Sequence, residues 1–422
     1  MTIYDRWHKS RPKLDEGKCK CRPPRIPTAE HGCEGRWQVR YRDDNGNQRK
    51  RNFDRRPAAE SFDAEVKASL DKGEYIDFTA GQVTLTAYAK EWRESLTSDP
   101  GTLQQVDSRL SKWVFGQKIG SHTMSALATR PALIRSWIKM MEGSLAPGSI
   151  KVIVDMVSTI FSTAVDDRIV NRNPFALKSV QSARPLDKDP KRVTPWTFGQ
   201  VVAVGQALPA RLRAMVYLGS GCGHRQGELF GIAVDDLDFS GGMVHVNRQV
   251  RLVRNRLVFS LPKRNKTRSV PLPEVVMREL CAHIESHPPV EVTLPWRVPE
   301  GELRTFKLLF VNTAGGALHR NTFNYTWRSA IERADIVPAT PAGERRRPYR
   351  EHGCHKLRHT AASAWLASGV DVVTVAEYLG HADPGFTLRT YTHLMPNAAD
   401  RARKAMNAFF TDGSCAPGVP ST

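Results

Sequence analysis

A chain of 422 residues, 40% of them hydrophobic, is long enough for about two or three domains, each with its own core. Its formal charge of +19 points to a polyanionic partner, of which nucleic acid is the common one, with a generally basic soluble protein as the plain alternative. The polar start MTIYDRWHKSRPKLDEGK lacks the apolar core of a signal peptide, no uninterrupted apolar run approaches a membrane span, and no lipidation motif or amphipathic basic helix marks a membrane surface.

Residues 1–27 are rich in Pro, Lys and Arg without periodicity, and read as a flexible basic arm. The seven cysteines are odd in number and scattered, as reduced thiols of a cytoplasmic protein would be. Within that set, Cys19, Cys21, His31 and Cys33 offer four ligands that zinc accepts, although Cys19-x-Cys21 is tighter than a structural knuckle, and incidental cysteines fit equally. Next, Arg36-Trp-Gln-Val-Arg-Tyr-Arg42 alternates apolar and basic residues as a strand does. Asp44-Asn45-Gly46 supplies a hairpin turn, and Gln48 to Phe53 returns. A helix follows, with Pro57 near its start and Phe62, Val66 and Leu70 on one face. Arg40, Arg42, Arg49, Lys50 and Arg51 give this hairpin a basic face, which is a DNA contact or a solvated charged surface.

From Thr84 to about Leu177 the pattern is helical, until Asn171-Arg-Asn-Pro174 breaks it. Trp92, Trp113 and Trp137 in this stretch read as core. Residues 181–196, with Pro185, Pro190 and Pro195, form a candidate linker. A mixed domain then runs over 197–410. Its expected strands are Met243–Val246, Leu257–Ser260 and Ser269–Leu272, with Leu261-Pro-Lys-Arg-Asn-Lys-Thr-Arg268 as a basic hairpin loop between the last two; an irregular proline-rich stretch from about Ser286 to Pro348 carries Arg345, Arg346 and Arg347. Residues 411–422 read as a disordered tail.

The chemistry concentrates in this last domain. Gly223-His-Arg225-Gln-Gly-Glu228 supplies one arginine, and His355-Lys-Leu-Arg358-His359 a second with two histidines. Leu379-Gly-His381 and Tyr391-Thr-His393 follow in order. Two guanidiniums are what a five-coordinate phosphate needs, because each donates paired hydrogen bonds and keeps its charge. A tyrosine hydroxyl downstream is a candidate nucleophile that would hold the phosphate covalently. Glu228, three residues after Arg225, reads as a positioning residue or as a salt-bridge partner. Asp235 and Asp236 follow Ile232-Ala-Val away from the basic motifs, which disfavours a two-metal nuclease.

This arrangement resembles the tyrosine recombinases, specifically the integrases of phages and integrative elements. The resemblance carries Arg225, Lys263, His355, Arg358, His381 and Tyr391 into that family's catalytic positions, with Glu228 and His359 as supporting residues and Lys266 as a competitor of Lys263. His224 departs from the small or apolar residue usual beside the first arginine. The resemblance implies a multidomain α+β fold: a small N-terminal β-sheet plus helix as arm-type DNA-binding domain over 28–78, a helical core-binding domain over 82–180, and a mixed, mainly α catalytic domain with a small β-sheet over 197–410. It implies cleavage and rejoining of DNA through a 3′-phosphotyrosyl bond without metal, ATP or other cofactor, in a nucleoid-associated protein.

The implied partners are double-stranded attachment sites, a homotetramer on paired DNA, an excisionase and a host DNA-bending protein. The segment Ala399–Phe410 is apolar at intervals and could dock onto a neighbouring protomer. Two alternatives stay open at this level. One is a type IB topoisomerase, which uses the same chemistry on any DNA. The other is a DNA-binding regulator with a dead site, against which stand six catalytic positions filled by competent residues.

Overall fold

The structure is a computed structural model that describes residues 2–10, 17–22, 24–43, 46, 48–71, 80–186, 193–341, 343–344, 349–391, 393, 403 and 406–410. The chain divides into two compact units, Met1–Lys188 and Asp189–Thr422.

The first unit opens with an antiparallel sheet of β1 (Thr2–Asp5), β2 (Trp37–Arg42) and β3 (Gln48–Phe53), in that order. Helix α1 (Arg56–Asp71) packs on one face, where Val39 and Tyr41 bury against Ala59 and Val66. The strand β1 corrects the reading of a wholly flexible arm. Ile3 pairs with Val39 and adds its side chain to the same apolar layer. The hairpin register also corrects the reading of one basic face. Paired residues on neighbouring strands share a face, and Arg49 pairs with the core residue Tyr41, Arg51 with Val39. Arg49 therefore lies on the helix side, bonded to Asp43 at 3.0 Å, and Arg51 lies over the rings of Phe53 and Phe62. Arg40, Arg42 and Lys50 are exposed on the other side, with Arg40 over the Tyr4 ring. Of the expected Asp44-Asn45-Gly46 turn, Asp44 and Asn45 lie outside the described residues, while Gly46 takes the expected positive φ of 81°.

The rest of this unit is helical, as expected: α2 (Leu85–Ser95), α3 (Pro100–Leu110), α4 (Lys118–Ser121), α5 (Met124–Thr129), α6 (Pro131–Glu142), α7 (Pro147–Asp166) and α8 (Lys178–Gln181). Thr84, Asp99 and Thr123 cap three of these helices through their side chains, and prolines open α3, α6 and α7. Trp92, Trp113 and Trp137 are core residues, and the Trp137 indole donates to the Trp113 carbonyl at 2.8 Å. Helix α7 has the length and hydropathy of a membrane span, but its Ile150, Val154, Val157 and Phe161 pack into this helical core.

In the second unit the helices are α9 (Phe198–Ala207), α10 (Ala210–Cys222), α11 (Gln226–Gly231), α12 (Glu274–Ser286), α13 (Arg320–Arg333), α14 (His355–Ala367), α15 (Val372–Leu379) and α16 (Pro384–Tyr391). Among the described residues, three small antiparallel sheets accompany them. One has the order β4 (Leu237–Asp238), β5 (Met243–Val246), β8 (Arg268–Pro271); the others pair β6 (Gln249–Val253) with β7 (Arg256–Ser260) and β9 (Val290–Pro295) with β10 (Leu303–Leu308).

Three expectations change here. The stretch read as irregular holds β9, β10 and α13, although Arg345–Arg347 lie outside the described residues. The basic loop carrying Lys263 does not close a hairpin, because β7 and β8 belong to different sheets. The linker ends before Trp196, which is 5% exposed and stacks on Trp327 inside the core of this unit. The tail 411–422 and half of Ala399–Phe410 fall outside the described residues.

Helices α10 and α14 approach closely because Gly219 has no side chain. A Cβ there would meet Leu357 Cδ1 at 2.8 Å. That contact sets the end of α10, where Gly223 turns the chain with φ 66°, against the first turn of α14.

Candidate active site

The site is organised by the C-terminal end of α15. The last carbonyls of a helix lack intrahelical donors and carry its negative pole, so they attract cations. Here three guanidiniums meet three successive carbonyls. Arg268 Nε donates to the Tyr378 carbonyl at 2.6 Å, Arg358 Nη2 to that of Leu379, and Arg225 Nη2 to that of Gly380 at 3.1 Å. Gly380 takes φ 61°, and a Cβ on it would stand 3.2 Å from Arg268 Cδ, so glycine is required twice over. Arg358 also donates to the Gly223 carbonyl at 2.8 Å.

Glu228 neutralises this cluster from below. Its carboxylate accepts from Arg225 Nη1 at 2.8 Å and from the Arg225 amide at 2.8 Å. It accepts again from Arg268, Nη1 at 3.1 Å and Nη2 at 2.7 Å. Burial alone would raise its pKa, but the charges of Arg268 and then Arg225 pull it well below the usual carboxylate range. Glu228 is thus both the salt-bridge partner and the positioning residue that the sequence left as alternatives. Burial, then the Arg225 charge, brings Arg358 down to about 9, which leaves it cationic at neutral pH.

His224, His355, His359 and His381 are held neutral. Burial is the first cause for each, followed by the neighbouring cations or rings. His355 and His359 come down to about 4, His381 to about 3 and the fully buried His224 to about 3. His355 still exposes part of its surface, on the first turn of α14, and stacks edge-on to His359 with centroids 4.7 Å apart. His381 Nδ1 shares a hydrogen bond of 2.7 Å with the buried Thr387 hydroxyl. His224 is 1% exposed with no partner on either ring nitrogen, so the departure from an apolar residue is packed as one.

Tyr391 ends α16 at 1% exposure, packed on Ala362, Leu366, Val375 and Leu379. Burial pushes its phenol up to about 12, with Arg358 working in the opposite direction. Its hydroxyl lies 2.6 Å from His359 Nδ1. With a protonated phenol and a neutral imidazole, the O–H donates and the nitrogen accepts. The side chains of other tyrosines in this unit stand apart: Tyr325 is 65% exposed, the Tyr349 hydroxyl donates to the Pro338 carbonyl at 3.3 Å, and the Tyr378 ring packs on Trp365.

The structure therefore gathers Arg225, Glu228, His355, Arg358, His359, His381 and Tyr391. It does not gather Lys263 or Lys266. Both are exposed on the loop between β7 and β8, and among the described residues neither is hydrogen-bonded to the cluster. Asp236, set aside on the sequence, is a structural group that accepts from Arg248, Asn247 and the Ala233 amide.

Arg268 is the residue that sequence reasoning missed as part of the site. It stood in the quoted basic loop, where nothing separated it from its basic neighbours except its place as the first residue of β8. His359 was read as supporting, yet it is the residue that touches the tyrosine hydroxyl. In the N-terminal unit, the ligand atoms of His8, Cys19, Cys21 and His31 lie within 4.8 Å of one another. Cys33 of the expected set is exposed and outside that group, and His8 stands in its place.

Residues 197–398 match the sequence profile of the phage integrase family. A tyrosine recombinase XerC-like protein of Caldanaerobacter subterraneus subsp. tengcongensis is 24% identical over 395 residues, covering 87% of this chain and 94% of that protein. The integrase of Mycobacterium phage D29 is 23% identical over 351 residues, covering 80% and 84%. Among solved structures, the Tn1549 transposon integrase with transposon right end DNA shares the fold at a TM-score of 0.62 and 20% identity, over 78% of this chain and all of the other, 100%. A lambda integrase tetramer bound to a Holliday junction gives 0.51 at 17% identity, over 83% and 94%. With this profile match over the unit that carries the arginine, histidine and tyrosine cluster, the chain belongs to the tyrosine recombinases of the phage integrase family.

Proposed function

We propose that this protein is a site-specific DNA recombinase that integrates or excises a mobile element through a covalent phosphotyrosine. The observation that carries the reading is the contact between the Tyr391 hydroxyl and His359, which directly follows Arg358 on α14. Arg225 and Arg358 hold the non-bridging oxygens of the scissile phosphate, and His381 donates to the same group. Tyr391 oxygen attacks phosphorus while its proton passes to His359, whose neutral state leaves Nδ1 open to receive it. The bond to the 5′-oxygen breaks, and that oxygen takes a proton from Lys263 once the loop after β7 closes on DNA. His355 exchanges protons at the phosphate. The reverse attack by another strand's 5′-hydroxyl restores the phosphodiester, so no ATP is consumed.

The sheet and α1, over about 28–78 together with β1, serve as an arm-type DNA-binding module that presents Arg40, Arg42 and Lys50. The helices over 82–180 grip the core site, and 197–410 cut it. Four protomers act on two paired duplexes, with an excisionase and a host bending protein setting direction, in the cytoplasm and on the nucleoid.

The test is a nicked suicide duplex carrying the candidate core site, incubated in EDTA with the wild type and with Tyr391→Phe. A protease-sensitive protein–DNA adduct formed by the wild type alone supports the reading. Binding without any adduct moves the protein to the non-catalytic regulators, and supercoil relaxation of any DNA by isolated monomers moves it to the topoisomerases.

A further inference from the structure

We propose that His8, Cys19, Cys21 and His31 bind one structural zinc ion that ties the N-terminal strand to the DNA-facing sheet. The four ligand atoms converge within 4.8 Å of one another. The Cys19 Sγ to His8 Nε2 and Cys21 Sγ to His31 Nε2 distances are both 3.4 Å. A tetrahedral ion with Zn–S near 2.3 Å and Zn–N near 2.0 Å spaces such a pair at about 3.5 Å, so both Cys–His pairs already stand at the spacing of a two-Cys, two-His cage.

The surroundings are built for it. Asp5 Oδ2 lies 2.8 Å from His8 Nδ1, and Arg36 donates to both Asp5 oxygens at 3.1 and 2.9 Å. A carboxylate only accepts, so the Nδ1 position carries the hydrogen and Nε2 turns its lone pair toward Cys19. Arg36 Nη2 also stands 3.3 Å from Nδ1, but its shorter contact is to Asp5. The backbone converges as well. Lys9 donates to the Ile26 carbonyl at 2.9 Å, Thr28 to that of Trp7 at 2.9 Å, and Cys19 to that of Arg25 at 2.8 Å.

The segment also needs a staple. Between β1 and β2 no hydrophobic side chain among the described residues is buried. The adjoining core consists of Val39, Tyr41, Ala59 and Val66 with five partly buried neighbours. Units with so little core ordinarily need a metal or a disulfide to hold a long irregular segment.

The experiment uses the full chain, purified without a histidine tag under reducing conditions, with metal counted by mass spectrometry and cobalt exchanged for zinc. One zinc per chain is expected, with the visible bands of tetrahedral cobalt and a thiolate charge-transfer band. Cys33→Ser should keep the metal, and His8→Ala and Cys19→Ser should lose it. Because either loss could come from misfolding, His8→Cys provides the stricter arm: it should retain one cobalt with a stronger charge-transfer band. A chain with no retained metal, loss of metal in Cys33→Ser, or an unchanged cobalt spectrum in His8→Cys overturns the assignment.

Discussion

The cluster around Glu228 and the N-terminal sheet are both rich in arginine, and they use it in opposite ways. In the cluster, Arg358 is 1% exposed and Arg268 7%, and each is oriented by backbone carbonyls, with Glu228 paired to Arg225 and Arg268. On the sheet, Arg40, Arg42 and Lys50 are exposed to solvent, with Arg40 donating to Gln38 Oε1 at 2.5 Å and Arg42 to the Gly46 carbonyl at 3.0 Å. The first arrangement selects a geometry, because a buried guanidinium held at two points does not turn to suit its ligand. The second, in the proposed arm-type module, would supply attraction that salt screens and sequence does not direct.

The contrast breaks most severely at Glu228. Glu228→Gln leaves two arginines without a counter-charge, and a broken buried pair costs about 3–5 kcal/mol. Thermal unfolding of the second unit should shift accordingly, and cleavage should vanish with it. If the variant unfolds like the wild type, the carboxylate does not hold the cluster together.

Removing the proton acceptor is the next effect. His359→Phe should slow adduct formation by about 100-fold or more while binding to the core site holds. The wild-type rate also carries a signature. His359 sits near 4, below the ordinary 6.5, so it stays neutral and competent as pH falls through 6. An acid limb centred near 6.5 in the cleavage profile would count against His359 as the acceptor.

A smaller change follows from Gly380→Ala. The left-handed backbone alone costs a side chain about 1–2 kcal/mol, and the added carbon presses on Arg268. Cleavage should fall more than stability, since the carbonyl that orients Arg225 moves with this turn; an unaltered cleavage rate would show that the turn does not orient the arginine. The mildest effect belongs to the sheet. Arg40→Ala with Lys50→Ala should lower the salt dependence of arm-site binding, the slope falling by about one for each phosphate no longer neutralised. Arg51→Ala should instead weaken the sheet and leave that slope alone. Equal slopes for all three would mean that the two faces of the hairpin do not differ toward DNA.

These differences follow the line between what was legible in the sequence and what was not. The order Arg225, His355, Arg358, His381, Tyr391 was legible because each motif is local, and the helices that carry them have clear apolar periodicity. Arg268 was not, because its role depends on Tyr378 and Glu228, distant in sequence and joined only by folding. The split of Arg49 and Arg51 from Lys50 was hidden in a run of four polar residues, Gln48 to Arg51, that offers no alternation to read. β9 and β10 were obscured by prolines at their margins. His8 lies eleven residues before Cys19, where no spacing rule couples it to the cysteines.

The buried tyrosine has a further consequence for the cell. Held against His359 at 1% exposure, Tyr391 is closed to stray electrophiles and, as the proposed nucleophile, to any phosphate that merely drifts past. For the proposed cleavage, DNA must therefore reshape the end of α16, the helix in which Thr387 meets His381. Chromosomal safety, on this view, is written into the packing of one side chain: a protein that samples many sites while searching carries its blade sheathed until a correct site opens it.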